Sequence, residues 1–140
     1  MIAKRARWAC DTSVAVAALD PNHEAHRACR AAVVELRPAL AGHAAFETFA
    51  VLTRLPVPLR LSAAQASAAI TGAFPEECWL ASAEQAKLRG ELAEYGIVGG
   101  SVYDALVGRA ASAAGRSLLT RDRRAERTYR DLEVAYRLVE

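Results

Sequence analysis

Asp11, Glu47, Asp104 and Asp122 are the residues of this chain best suited to chemistry. Each carboxylate sits among apolar or small neighbours, in Trp8-Ala9-Cys10-Asp11, Ala45-Phe46-Glu47-Thr48-Phe49, Val102-Tyr103-Asp104-Ala105-Leu106 and Leu118-Leu119-Thr120-Arg121-Asp122. Carboxylates enter such surroundings when they are paired or bind metal. Two of them ~5 Å apart repel by about 3 kcal/mol at an effective dielectric of 20. A gathered set therefore needs protons, arginines or a cation. Hard oxygen donors favour Mg²⁺, with Mn²⁺ as a substitute, over zinc. The chemistry such an ion supports is phosphodiester hydrolysis. Thr12, Ser13 and Thr120 lie beside the acids and can orient carboxylates. Arg121, Arg123 and Arg124 flank Asp122 and can meet neighbouring phosphates.

Each acid also has a structural explanation. Asp11 or Asp122 can cap the helix that follows it. Glu47 can answer a helix dipole, and Asp104 can close a cap with Ser101. His23 and His26 share a helix face but have no third soft ligand nearby, so they form no zinc site.

The elements that must position these residues alternate between short apolar runs and helical patterns, which indicates an α/β fold with a mainly parallel sheet. Strands are expected at 7–11, 38–43, 78–80, 117–120 and 134–139. Helices are expected at 13–19, 24–36 (capped by Asn22), 45–55, two following the capping-box patterns Ser62…Gln65 and Ser82…Gln85, 101–114 and 123–130. Asp11 and Asp122 then fall at strand carboxyl ends, where open α/β sheets bind ligands. Glu47 and Asp104 fall in the first turns of helices. Glu47 is expected on an inward or half-buried face. Gly100, Ser101 and Gly108 leave room beside Asp104 for a hydrated ion or a substrate backbone.

The chain has 140 residues, 53% hydrophobic and 24% charged, and is expected to form one domain spanning 1–140. A net charge of +2 does not by itself announce nucleic-acid binding, but the arginines of 116–130 form a local basic patch. Three widely spaced cysteines without a C-x-x-C pair read as reduced core residues. The apolar stretch after the basic start is interrupted by Asp11 and is too short for a signal segment, and no run is long enough to span a bilayer. A cytoplasmic location is expected.

Four motifs in order make the chain resemble the PIN-domain ribonucleases, most closely the VapC toxins. They are Asp11-Thr12-Ser13-Val14, Phe46-Glu47-Thr48-Phe49 with its Leu52-Thr53-Arg54-Leu55-Pro56 ending, Ser101-Val102-Tyr103-Asp104-Ala105-Leu106, and Thr120-Arg121-Asp122-Arg123-Arg124-Ala125. The resemblance covers nearly the whole chain. It implies a PIN-like α/β/α sandwich with Asp11, Glu47, Asp104 and Asp122 as Mg²⁺-binding acids and Thr120 in support. It further implies cleavage of single-stranded or structured RNA, a homodimer, and silencing by a small antitoxin of the VapB type. A groove for that antitoxin is expected within residues 55–74. Two other readings use the same residues differently. One is a non-catalytic RNA-binding or regulatory module with structural acids. The other is a phosphatase with Asp11 as nucleophile, which lacks the usual second aspartate because Ser13 stands two residues on.

Overall fold

The computed structural model describes residues 7–140. Among the described residues, five strands form one all-parallel sheet in the order β3-β2-β1-β4-β5. They are β1 (Trp8–Cys10), β2 (Ala39–Ala41), β3 (Glu77–Cys78), β4 (Ser117–Thr120) and β5 (Tyr136–Leu138). Among the same residues, seven helices flank it in a PIN-like α/β/α sandwich: α1 (Thr12–Leu19), α2 (His26–Leu36), α3 (His43–Thr53), α4 (Ala63–Ala73), α5 (Ser82–Tyr95), α6 (Ser101–Ala113) and α7 (Glu126–Asp131), the last led in by a 3₁₀ turn over Arg123–Ala125. Among the described residues, no helix is long and apolar enough to cross a membrane.

The strands are short and apolar on both sides because helices cover both faces. Ala9, Cys10, Ala39, Leu40, Ala41, Leu118 and Leu119 are wholly buried. Each buried leucine contributes about 1.5–3 kcal/mol against exposure. The three cysteines are buried and free.

The strand order determines where the site lies. The chain builds β1, β2 and β3 outward in one direction, then returns to lay β4 and β5 on the other side of β1. The order therefore reverses between β1 and β4, which pair through Ala9 opposite Leu118 and Cys10 opposite Leu119. Crevices beyond the carboxyl ends of strands at such a reversal are where open α/β sheets bind ligands.

Several expected local details are different. Asn22 does not cap α2; that helix starts at His26 after Ala25, which makes no side-chain cap bond. Instead Asp20 accepts the Asn22 N–H within the loop. The Ser62–Gln65 capping box forms in both directions. The Ser82–Gln85 box does not: Ser82 is already the first residue of α5, with Ala81 as its cap, and Gln85 donates to the Leu80 carbonyl at 2.7 Å. Helix α3 begins at His43, two residues before the expected start. Gly42 allows this: its φ of +44° turns the chain from β2 straight into the helix while its N–H still donates to the Cys78 carbonyl at 2.8 Å.

Candidate functional site

Asp11 is the hub of the carboxyl edge. It is 6% exposed and caps α1. Its Oδ1 accepts from the Ser13 N–H (3.0 Å), the Ser13 hydroxyl (2.5 Å) and the Val14 N–H (3.4 Å). Its Oδ2 accepts from the Thr120 hydroxyl (2.5 Å) and the Tyr129 hydroxyl (2.9 Å). Burial pushes the carboxyl above its ordinary range, and these donors pull it back.

The same hydroxyls tie β4 to β1. Thr120 Oγ1 accepts from the Asp122 N–H at 3.1 Å, and Ser13 Oγ accepts from the Arg121 N–H at 2.8 Å. Asp122 in turn accepts from the Arg124 N–H at 2.9 Å as the cap of the 3₁₀ turn. Both capping explanations open at the sequence level therefore hold for the geometry of Asp11 and Asp122.

Glu47 lies in the second turn of α3, since the helix starts early, and its side chain is exposed rather than inward. Thr12 donates to Glu47 Oε2 at 3.2 Å, linking α1 to α3. Asp104 is half-buried in the first turn of α6 and has no such donor among the described residues. Its carboxyl is pushed up to about 6, first by burial and then by the charges of Asp122, Asp11 and Glu47. Four acids separated by up to 111 positions thus act on one another through a shared field. Among the described residues, however, no three His, Cys, Asp or Glu side chains stand in an arrangement that could hold a metal ion as they are. The physical reason is visible: like charges repel, and three of the four acids are held by protein donors instead. The donor set, oxygen only and mutually repelling, suits a hard divalent cation.

One further sequence expectation changes. The space beside Asp104 is not open at Gly108. A Cβ there would meet Val134 Cγ2 at 3.0 Å and Tyr129 Cδ1 at 3.1 Å, so the glycine admits the Tyr129 ring. Tyr129, wholly buried, is the site residue that the sequence did not disclose. It lies within an arginine-rich helix, and only its tertiary contact with Asp11 marks it. Burial and the Asp11 carboxylate raise its phenol.

The arginines are partly engaged. Arg121 donates to the Val139 carbonyl at 3.3 Å, and Arg123 pairs with Glu140 at 3.0 Å. The second pair is exposed, so it is weak and easily exchanged. Arg124 is exposed and has no ion pair among the described residues.

The model of the PIN domain family matches residues 9–131. The chain belongs to the PIN-domain family, in its VapC ribonuclease branch. It is 44% identical over 126 residues to ribonuclease VapC27 of Mycobacterium tuberculosis (strain ATCC 25618 / H37Rv), covering 90% of this chain and 92% of that relative. It is likewise 44% identical over 131 residues to ribonuclease VapC40 of Mycobacterium tuberculosis (strain CDC 1551 / Oshkosh), covering 92% and 96%. All four acids of this PIN-domain chain fall within the family match.

Proposed function

We propose that this chain is a metal-dependent endoribonuclease that hydrolyses RNA phosphodiester bonds, acting as the toxin of a toxin–antitoxin pair. The observation that carries the reading is the gathering of four acids at one sheet edge: Asp11 and Asp122 follow the paired strands β1 and β4, Thr12 beside Asp11 bonds Glu47, and the charges of all three acids bear on Asp104. Its relatives' designation as VapC ribonucleases supports the substrate class. Asp11, Glu47, Asp104 and Asp122 would hold Mg²⁺, or Mn²⁺ in its place. Such an ion, when bound, lowers the pKa of water and neutralises charge at a phosphate.

The protein's own groups do the rest. Ser13, Thr120 and Tyr129 hold the Asp11 carboxyl in one orientation by donating to it. Thr12 steers Glu47. Asp104, lacking a donor, is the group whose charge most needs neutralising. Arg124, and Arg123 once released from Glu140, contact flanking phosphates.

Cleavage of RNA with Mg²⁺ or Mn²⁺, compared with EDTA and with Asp104→Asn, tests the assignment. Metal-dependent cutting that the variant loses is expected; full activity in Asp104→Asn rejects the site.

A non-catalytic RNA-binding module is the second reading, favoured by the five hydrogen bonds already on Asp11. It predicts RNA binding without turnover and no stabilisation by Mn²⁺.

A homodimer and a VapB-type antitoxin are proposed as partners. A groove of about 620 Å³ runs between α2 and α4, edged by Arg30, Arg37 and Glu76 and floored by Val33, Ala69 and Ala73. Its α4 wall belongs to the segment expected to receive the antitoxin; its other wall is α2. Amide exchange slowed at Val33, Val34, Ala69 and Gly72 by the antitoxin is the expected result.

A further inference from the structure

We propose that His43, Phe46, Trp79 and Tyr103 form a stacking platform for unpaired nucleobases of an RNA strand whose phosphodiester lies at the acidic site. The inference rests on the nuclease reading and adds the side chains that would hold the strand's bases.

The sheet order brings the rings to the site. β3, β2 and β1 are successive neighbours, all parallel, so their carboxyl ends share one edge. Trp79 follows β3, His43 follows β2 at one residue's remove, and Asp11 follows β1. Trp79 therefore stands about two strand spacings, roughly 10 Å, from the strand that delivers Asp11. Helix α3 then places His43 one turn before Glu47, with Phe46 three residues from His43 on an adjoining row. Tyr103 immediately precedes Asp104 on α6.

The rings are mutually ordered. His43 and Tyr103 stack at 4.5 Å between centroids with planes 14° apart. Phe46 and Trp79 meet edge to face at 5.7 Å. His43, Phe46 and Trp79 also wall a cleft of about 160 Å³. Yet Phe46 is 67%, Trp79 52% and Tyr103 51% exposed. Water-facing aromatic rings held in fixed planes beside a phosphodiester site suit unstacked bases, because every base offers a π-face whatever its sequence. A duplex keeps its bases stacked inside and cannot use them.

The test uses the full chain and a single-stranded oligoribonucleotide cut at one mapped bond, together with the same oligonucleotide carrying abasic sites on both sides of that bond. Trp79→Ala and Tyr103→Ala are expected to lower kcat/KM on the intact strand roughly 5- to 150-fold each. On the abasic strand they should match the parent protein. Trp79→Phe should restore most of the loss. Binding is read separately in a Trp8→Phe, Asp104→Asn background in EDTA, where the intact strand should quench Trp79 fluorescence and the abasic strand should not.

If the parent cuts RNA and the ring variants cut the intact strand equally well, the platform is overturned and the nuclease stands. If nothing is cut but Trp79 is still quenched by the intact strand alone, the nuclease reading fails and base stacking survives. If the variants turn a dimer into monomers and lose activity equally on both strands, the surface is a self-association face and the proposal is overturned.

Discussion

Replacing Asp104 with asparagine removes a charge that the metal-free fold resists. The folded carboxyl titrates at about 6 against an ordinary 3.8, from burial and three like-charged neighbours. A shift of about two units at 1.36 kcal/mol each sets a ceiling near 3 kcal/mol. Asp104 is only half-buried, and solvent screening reduces this to about 1–2 kcal/mol. The sign follows from proton uptake. The folded acid holds its proton up to about pH 6, while the unfolded acid releases it near 3.8, so the parent protein loses stability as pH rises across that window. Asp104→Asn escapes the loss. In EDTA at pH 7.5 the variant should melt about 3–8 °C above the parent. At pH 4.5 the advantage should shrink to about a third. Adding Mn²⁺ should then raise the parent more than the variant. Circular-dichroism melts at the two pH values suffice. Equal melting at pH 7.5, or an advantage that does not depend on pH, refutes the electrostatic argument.

Tyr129→Phe removes the hydroxyl that bonds Asp11 Oδ2 at 2.9 Å, so it should cost about 1.5–3 kcal/mol at neutral pH in urea unfolding. Gly108→Ala pushes a methyl into Tyr129 and Val134 and should cost about 1–3 kcal/mol, with the Tyr129 amide among those losing exchange protection. Thr48 buries a hydroxyl without a hydrogen-bond partner among the described residues, so Thr48→Val should raise the melting temperature; a loss above ~1 kcal/mol would show that the hydroxyl does have a partner. Ser62→Ala breaks the capping box of α4 and should cost about 1 kcal/mol in the same unfolding assay.

The parts of this fold that were legible in the sequence are those set by local chemistry. The Ser62…Gln65 box and the apolar runs of β1 and β4 all appear as expected. Where local signals had rivals, the rival won. Gln85 had a carbonyl within reach at Leu80, and Asn22 lay in a loop that satisfied itself through Asp20. The two-residue β3 carries too few side chains to show a period, and the strand was expected one residue later. Glu47 turned outward because the buried row of α3 runs through Ala44, Thr48 and Leu52, and a Gly42 conformation invisible in the pattern moved it from the first turn to the second. The acids were recognisable by their unusual company. The phenol that holds Asp11 comes from 118 positions away and leaves no local trace.

Asp11 joins the start of α1, the end of β4 and the body of α7 through one carboxylate. Asp104 holds nothing together in the same way. A lineage drifting away from its chemistry can discard the second acid and gain sturdiness, whereas discarding the first loosens the molecule itself. Descendants that have fallen silent should therefore still carry an aspartate after their opening strand, and its survival alone is poor testimony that a copy remains active.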